Sequence, residues 1–309
     1  MNSYAKLGMF PMRPKRLKFY AITHDILGDV FWDVFRRGLM DAAERYDVDV
    51  EHLRPGKFSP EIQAGLIEGA MHAQPDGIIS TIPRVEAVDA PLRAAIQRGI
   101  PVIAINARDP RPAGERIPYL FYIGGDDTNA GRLAGNYLIG RVSPKSGMCV
   151  DHYLHDHICH SDRYRGFEQA FSSKGLKSDR LRVPGGDAEA CARAVAEYLT
   201  KNAEVDAVLT LGPPGAQAVI DARKLVPRQR QWAHMTFDVA QPQIDGIRSG
   251  DIIATIDSQQ YLQGYLSVQQ MWLHVAQGFT MADDIYTGPA IVDASNVDAA
   301  ELGVRRGIR

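Results

Sequence analysis

The side chains most able to do chemistry in this chain cluster at two places. The stretch from Met235 to Tyr265 reads as a buried strand ending at Asp238, a helix over Gln241 to Ser249, a turn at Gly250 and Asp251, and a strand from Ile252 to Ile256. A polar exit, Asp257 to Gln260, follows. In an open α/β sheet, ligands gather outside the carboxyl ends of strands, so Asp238 and the run Asp257, Ser258, Gln259, Gln260 are candidate ligand contacts. A strand-end Asp serves equally well as a helix N-cap, and both uses remain open for it. The second place is a loop rich in histidine, with His152, His155, His157 and His160 beside Asp151, Asp156 and Cys159. Zinc takes such ligands, but the spacing fits no fixed helical ligand pair, so no metal is expected here. No nucleophile elbow, phosphate-binding loop or dinucleotide fingerprint is present, which argues against a hydrolase, a nucleotide-dependent enzyme or a dehydrogenase.

The elements that position these groups alternate. Leu17 to Thr23 reads as a strand, then comes the loop His24 to Trp32, a helix from Asp33 to Tyr46, and a strand from Val48 to His52. Helices over Pro60 to Ala73 and Glu86 to Arg98 alternate with strands Gly77 to Ile82 and Pro101 to Ile105. The rhythm restarts with a helix from Asn129 to Ile139. It continues through strands at Gly147 to His152, Leu181 to Pro184, Ala207 to Leu211 and Trp232 to Phe237, with helices between them, one of them Arg163 to Gly175. Such alternation implies parallel sheets covered on both faces. At 309 residues the chain suits two lobes of similar size. No biased linker separates them, so several short crossings are expected to join them.

Lys plus Arg number 35 and Asp plus Glu 37, a balance that gives no electrostatic case for nucleic acid or an anionic membrane. No segment is apolar enough to span a bilayer, and the first 18 residues lack an apolar signal core. Read literally, that places the chain in the cytoplasm. The three cysteines, Cys149, Cys159 and Cys191, form neither a CxxC pair nor an even disulfide set.

Several segments together resemble a known family. They are DGIIS from Asp76, GIPVIAIN ending at Asn106, YIGGDDTNAG from Tyr122, RYRGF from Arg163, and Phe237-Asp238 followed by IRSG, ATI and QGY. They are similar, in the same order, to periplasmic sugar-binding proteins of the ribose-binding type, over Leu17 to about Val292. The resemblance implies the fold: α/β, with two Rossmann-like lobes whose parallel sheets are joined by a multi-strand hinge, the type I periplasmic binding protein. It implies lobes of 17–124 plus 258–284 and 125–257 plus 285–309, with a ligand cleft between them.

The resemblance also implies a solute-binding component of an ABC importer that closes on a monosaccharide or polyol. That makes it a monomer with a membrane permease as partner and no cofactor, in the periplasm after loss of an export signal. A sugar needs carboxylates and amides for its hydroxyls and flat aromatics for its C–H faces. By resemblance Asp29 meets hydroxyls and Phe31 and Trp32 clamp the ring, and adjacent aromatics cannot both face one side of the helix. His24 shares that loop. Asn106, Arg163 and Asp238 complete a polar ring. A cation at a helix start opposes the helix dipole, so Arg163 is expected to have a ligand or a carboxylate partner. The histidine loop is expected to be solvated or, as the alternative, to send His157 to the sugar. Gly212 stands where the family commonly has Asn, and Ser258 where relatives often have Gln, which leaves Gln259 or Gln260 to reach in. These departures point away from ribose. Asp29 and Asp238 would come from opposite lobes, so hydrogen bonding is a simpler role for them than glycoside hydrolysis. Two other classes fit less well: the effector core of a LacI-type regulator, for which the 18 residues before Phe19 are too few for a helix-turn-helix, and a sugar-modifying or metal enzyme built on the 151–160 loop.

Overall fold

The computed structural model describes residues 16–25, 29–57, 59–154, 157–227 and 231–309. The first half runs β1 (Lys18–Ile22), α1 (Val30–Tyr46), β2 (Asp49–Leu53), α2 (Pro60–His72), β3 (Gly77–Ser80), α3 (Val85–Gln97), β4 (Val102–Ile105) and β5 (Tyr122–Gly125). The second repeats it with α4 (Asp127–Val142), β6 (Ser146–Asp151), α5 (Ile158–Ser172), β7 (Lys177–Arg182), α6 (Ala188–Lys201) and β8 (Val205–Thr210). It goes on through α7 (Pro213–Ala222), β9 (Ala233–Phe237), α8 (Gln241–Ser249) and β10 (Ala254–Asp257). Then come α9 (Gln260–Gln277), β11 (Ile285–Gly288), β12 (Ala290–Asp293) and α10 (Val297–Arg305).

Two six-stranded sheets result, ordered β11-β5-β4-β3-β1-β2 and β12-β10-β9-β8-β6-β7. Strands such as GIIS and VIAI are buried at every position, as parallel strands covered on both faces must be. All pairs are parallel except β10 with β12. On the first sheet, α1 and α9 cover one face and α2 and α3 the other. On the second, α4 and α5 cover one face and α6 and α7 the other.

The two lobes share a packing device. In the first, α1 and α9 cross with Gly38 against the backbone of Tyr261 and Gly264 against that of Phe35. In the second, α4 and α5 cross with Gly131 against the backbone of Arg163 and Gly166 against that of Thr128. A Cβ on Gly131 would lie 1.8 Å from the Arg163 carbonyl oxygen. Every ion pair among the described residues joins two groups of the same lobe.

The chain crosses between sheets after Gly125, after Asp257 and between Gly288 and Ala290. Two details depart from the sequence reading. Residues 285–288, expected in the second lobe, form β11 in the first sheet, because β5 leaves an open edge that β11 pairs in parallel. Gly125, also expected in the second lobe, is the last residue of β5. The crossing at Asp257 is held on the second-lobe side by Arg309, whose Nε lies 3.0 Å from the fully buried Asp257 Oδ2. Thr287 and Gln263 both donate to the carbonyl of Ser258.

Candidate functional site

The carboxyl ends of both sheets face a common cavity of about 670 Å³. The sheet order places its switch points between β1 and β3 in one lobe and between β6 and β8 in the other, where an α/β sheet opens a crevice. Of the residues singled out from the sequence, His24, Asp29, Phe31, Trp32 and Asn106 line the cavity from the first lobe. From the second come His157, Arg163, Gly212 and Asp238. Ser258 and Gln259 do not line it. Gln259 takes a left-handed conformation (φ 51°) as the N-cap of α9, donating its amide to Asp257, and this turn presents Gln260 to the cavity instead. Ser258 sits one layer back, with its hydroxyl 3.4 Å from Asp238 Oδ1.

Asn106 and Asp238 occupy equivalent places, at the ends of β4 and β9, the fourth strand of each half. Both are left-handed, with φ of 58° and 69°. Asn and Asp tolerate that region better than other side-chain-bearing residues, because their short polar groups can bond locally. Asn106 donates Nδ2 to Gln263, which keeps its Oδ1 available as an acceptor. Burial pushes the Asp238 carboxyl up to about 6; Arg163 pulls it down, while Asp29 and Asp257 push it further up.

Arg163 is pinned on three sides. Its Nε donates to Asp127 Oδ1 at 2.8 Å, its Nη1 donates to the Leu211 carbonyl at 2.8 Å, and its guanidinium lies 4.2 Å from the Phe237 ring centroid. Burial opposes its charge, but Asp127 and Asp238 more than offset that and hold it protonated. The helix-dipole argument does not apply, because α5 begins at Ile158 and puts Arg163 in its second turn. The carboxylate partner is Asp127.

Asp29 both caps α1, accepting from the Phe31 amide at 3.0 Å, and lines the cavity. Burial raises its carboxyl above the usual range. Phe31 and Trp32 stand edge to face with centroids 5.0 Å apart, and Trp32 in turn packs on Phe35 in the core. The two aromatics thus share one wall of the cavity.

The histidine loop forms an aromatic wall opposite. Tyr153 stacks on His157 at 4.8 Å and 9°, His152 and His160 are 4.6 Å apart, and His24 of the first lobe reaches to 5.4 Å from His157. Burial lowers all four histidines, His24 to about 3 and His152 to about 4, so each presents a neutral ring with one donor and one acceptor. Asp151 sits under this wall, within 2.7 Å of His160 Nδ1, and also binds Arg180. That contact fixes the proton on Nδ1 and turns Nε2 into an acceptor. Among the described residues no three His, Cys, Asp or Glu side chains converge as a metal requires; His155 and Asp156 lie outside the described residues. Sequence reasoning missed Tyr153, Gln243 and the structural role of Asp151. Only the strand-end position of Asp151 could have signalled any of them.

A smaller cavity of about 300 Å³ shares Asn106 and Cys159 with the large one and is lined chiefly by charged residues, among them Arg108, Arg116 and Asp162. The Cys159 thiol donates to the Asn106 carbonyl at 3.8 Å, a weak bond across the wall between the two spaces.

Two α/β lobes, three crossings and a polar, aromatic-walled cleft between strand ends define a two-lobed solute-binding protein. Residues 20–278 match the model of the periplasmic binding protein domain, and the chain belongs to that family. It is similar to a carbohydrate transporter from Acidothermus cellulolyticus solved in complex with myo-inositol, at 32% identity and TM-score 0.86 over 95% of this chain and all of that one. A periplasmic sugar-binding protein of an ABC sugar transporter from Legionella pneumophila is 28% identical, with TM-score 0.79 over 88% of this chain and all of that one. The xylose/arabinose-binding protein of Sulfolobus acidocaldarius is 23% identical over 96% of this chain and 76% of that one.

Proposed function

We propose that this protein captures a neutral sugar or polyol between its lobes and hands it to an ABC permease, acting as a periplasmic monomer without catalysis. The observation that carries the reading is the composition of one cavity. Uncharged imidazoles, Asn106 and Gln260 meet there with Arg163, Asp29 and Asp238, a set that satisfies hydroxyls as donors and as acceptors. Phe31, Trp32 and Tyr153 supply flat surfaces for C–H faces. The likeness to a protein solved with myo-inositol supports a cyclic polyol or sugar of this kind. The lobes close over the solute about the three crossings, and the closed form is what the permease selects. The test is a thermal-shift screen of ligand-free protein against pentoses, hexoses, inositols and linear polyols. A solute bound by the native state alone raises the melting temperature by mass action. One clear class of hits is expected, and a flat profile across the panel would overturn the reading.

A further inference from the structure

The cavity does not end at the polar groups on the strand ends. It continues along α7, where Pro213, Ala216 and Ile220 fall on one helical face at spacings of three and four. Seven residues of helix rise about 10 Å, so this wall runs roughly two turns away from Arg163 and Asp238. Val239, Ala240 and Pro242, leading into and opening α8, close the other side. Of the cavity residues contributed by 211–220 and 239–243, only Gln217 and Gln243 carry a polar side chain and none carries a charge. The Gln217 amide is already tied to Asp221 on its own helix. Gln243 is 3% exposed, and its Oε1 has no hydrogen-bond partner.

A bare sugar ring cannot use this compartment. It carries hydroxyls all around its edge, and burying them against proline, alanine and isoleucine without partners is unfavourable. An apolar ring bearing at most one donor fits it, with Gln243 Oε1 as acceptor. We propose, building on the sugar-binding reading, that the preferred solute is a glycoside: a sugar held by the polar groups, with an apolar aglycone lying along α7 between Ile220 and Pro242. The aglycone is taken as the occupant because the compartment is continuous with the sugar cavity rather than a separate surface.

The test is calorimetric titration of each sugar found in the screen against its own α- and β-phenyl glycosides. One phenyl anomer is expected to bind at least about tenfold more tightly than the free sugar, since burying apolar area is favourable at about 25 cal/mol per Å². Ile220→Thr is expected to shrink that ratio, which is read within one protein so that losses in folding cancel. Free sugars that bind as well as or better than both phenyl anomers would overturn the glycoside proposal while leaving sugar binding intact. Sugars and glycosides that both fail to bind would overturn both readings.

Discussion

Replacing Gly131 with alanine probes how the second lobe holds Arg163. The new Cβ would stand 1.8 Å from the Arg163 carbonyl oxygen, whereas ordinary contact begins at 3.4 Å, so α5 must retreat by about 1.6 Å, the difference between the two. Asp127 lies one turn before Gly131 on α4, and Arg163 lies on α5, so the retreat stretches their 2.8 Å bond beyond hydrogen-bonding range. Overpacking of this kind destabilises by about 1–3 kcal/mol. The displaced guanidinium should also lower solute affinity. Gly140→Ala on the same helix is the control, because its Cβ would meet nothing within 4 Å and alanine is favoured over glycine inside a helix by about 1 kcal/mol. Urea unfolding followed by circular dichroism gives the two stabilities, and solute titration of each variant gives the affinities. A Gly131→Ala protein as stable as Gly140→Ala, with wild-type affinity, would refute the close-packing account of how Arg163 is positioned.

Because the Asp238 carboxyl is raised to about 6, solute affinity is expected to fall as pH drops through 6 and its acceptor is lost, measurable by titration between pH 5 and 8. The stability effect has the opposite sign. Between the ordinary value of 3.8 and about 6 the folded protein holds a proton that the unfolded chain releases, so the stability this provides is full below 3.8 and lost as pH rises through 6. Asp238→Asn should therefore melt higher than wild type at pH 7.5 while binding solute poorly. At the second crossing, Arg309→Ala leaves Asp257 buried without its cation, a loss at the lower end of roughly 3–5 kcal/mol in chemical denaturation. Asp257→Asn in that background should recover most of it, and failure to recover would show that Arg309 acts through packing alone.

Much of this arrangement is legible in the sequence because its signals are physical. Apolar runs such as GIIS and VIAI announce parallel strands buried on both faces. Asn106 and Asp238 stand out because polar residues interrupt those runs at the point where the backbone turns left-handed. Other parts left no mark. β7 runs Lys177–Arg182, four residues earlier than the start of the strand expected at Leu181 to Pro184, because the polar segment KSDR becomes strand only by pairing with β6 at a sheet edge. β11 exists because β5 needs a neighbour, a requirement set by residues more than 150 positions earlier. Choosing between Gln259 and Gln260 depends on a single left-handed residue that periodicity cannot register. For Arg163 the helix-dipole reasoning fails, since the start of α5 lies hidden in the polar histidine loop.

The confinement of every described ion pair to one lobe or the other bears on how the protein meets its surroundings. Across the cleft the lobes touch through aromatic rings and a thiol, and opposite charges face each other at longer range, as Arg108 and Asp162 do around the smaller cavity. Dissolved salt therefore acts on the separation of the lobes through this longer-range attraction and not through a close ion pair.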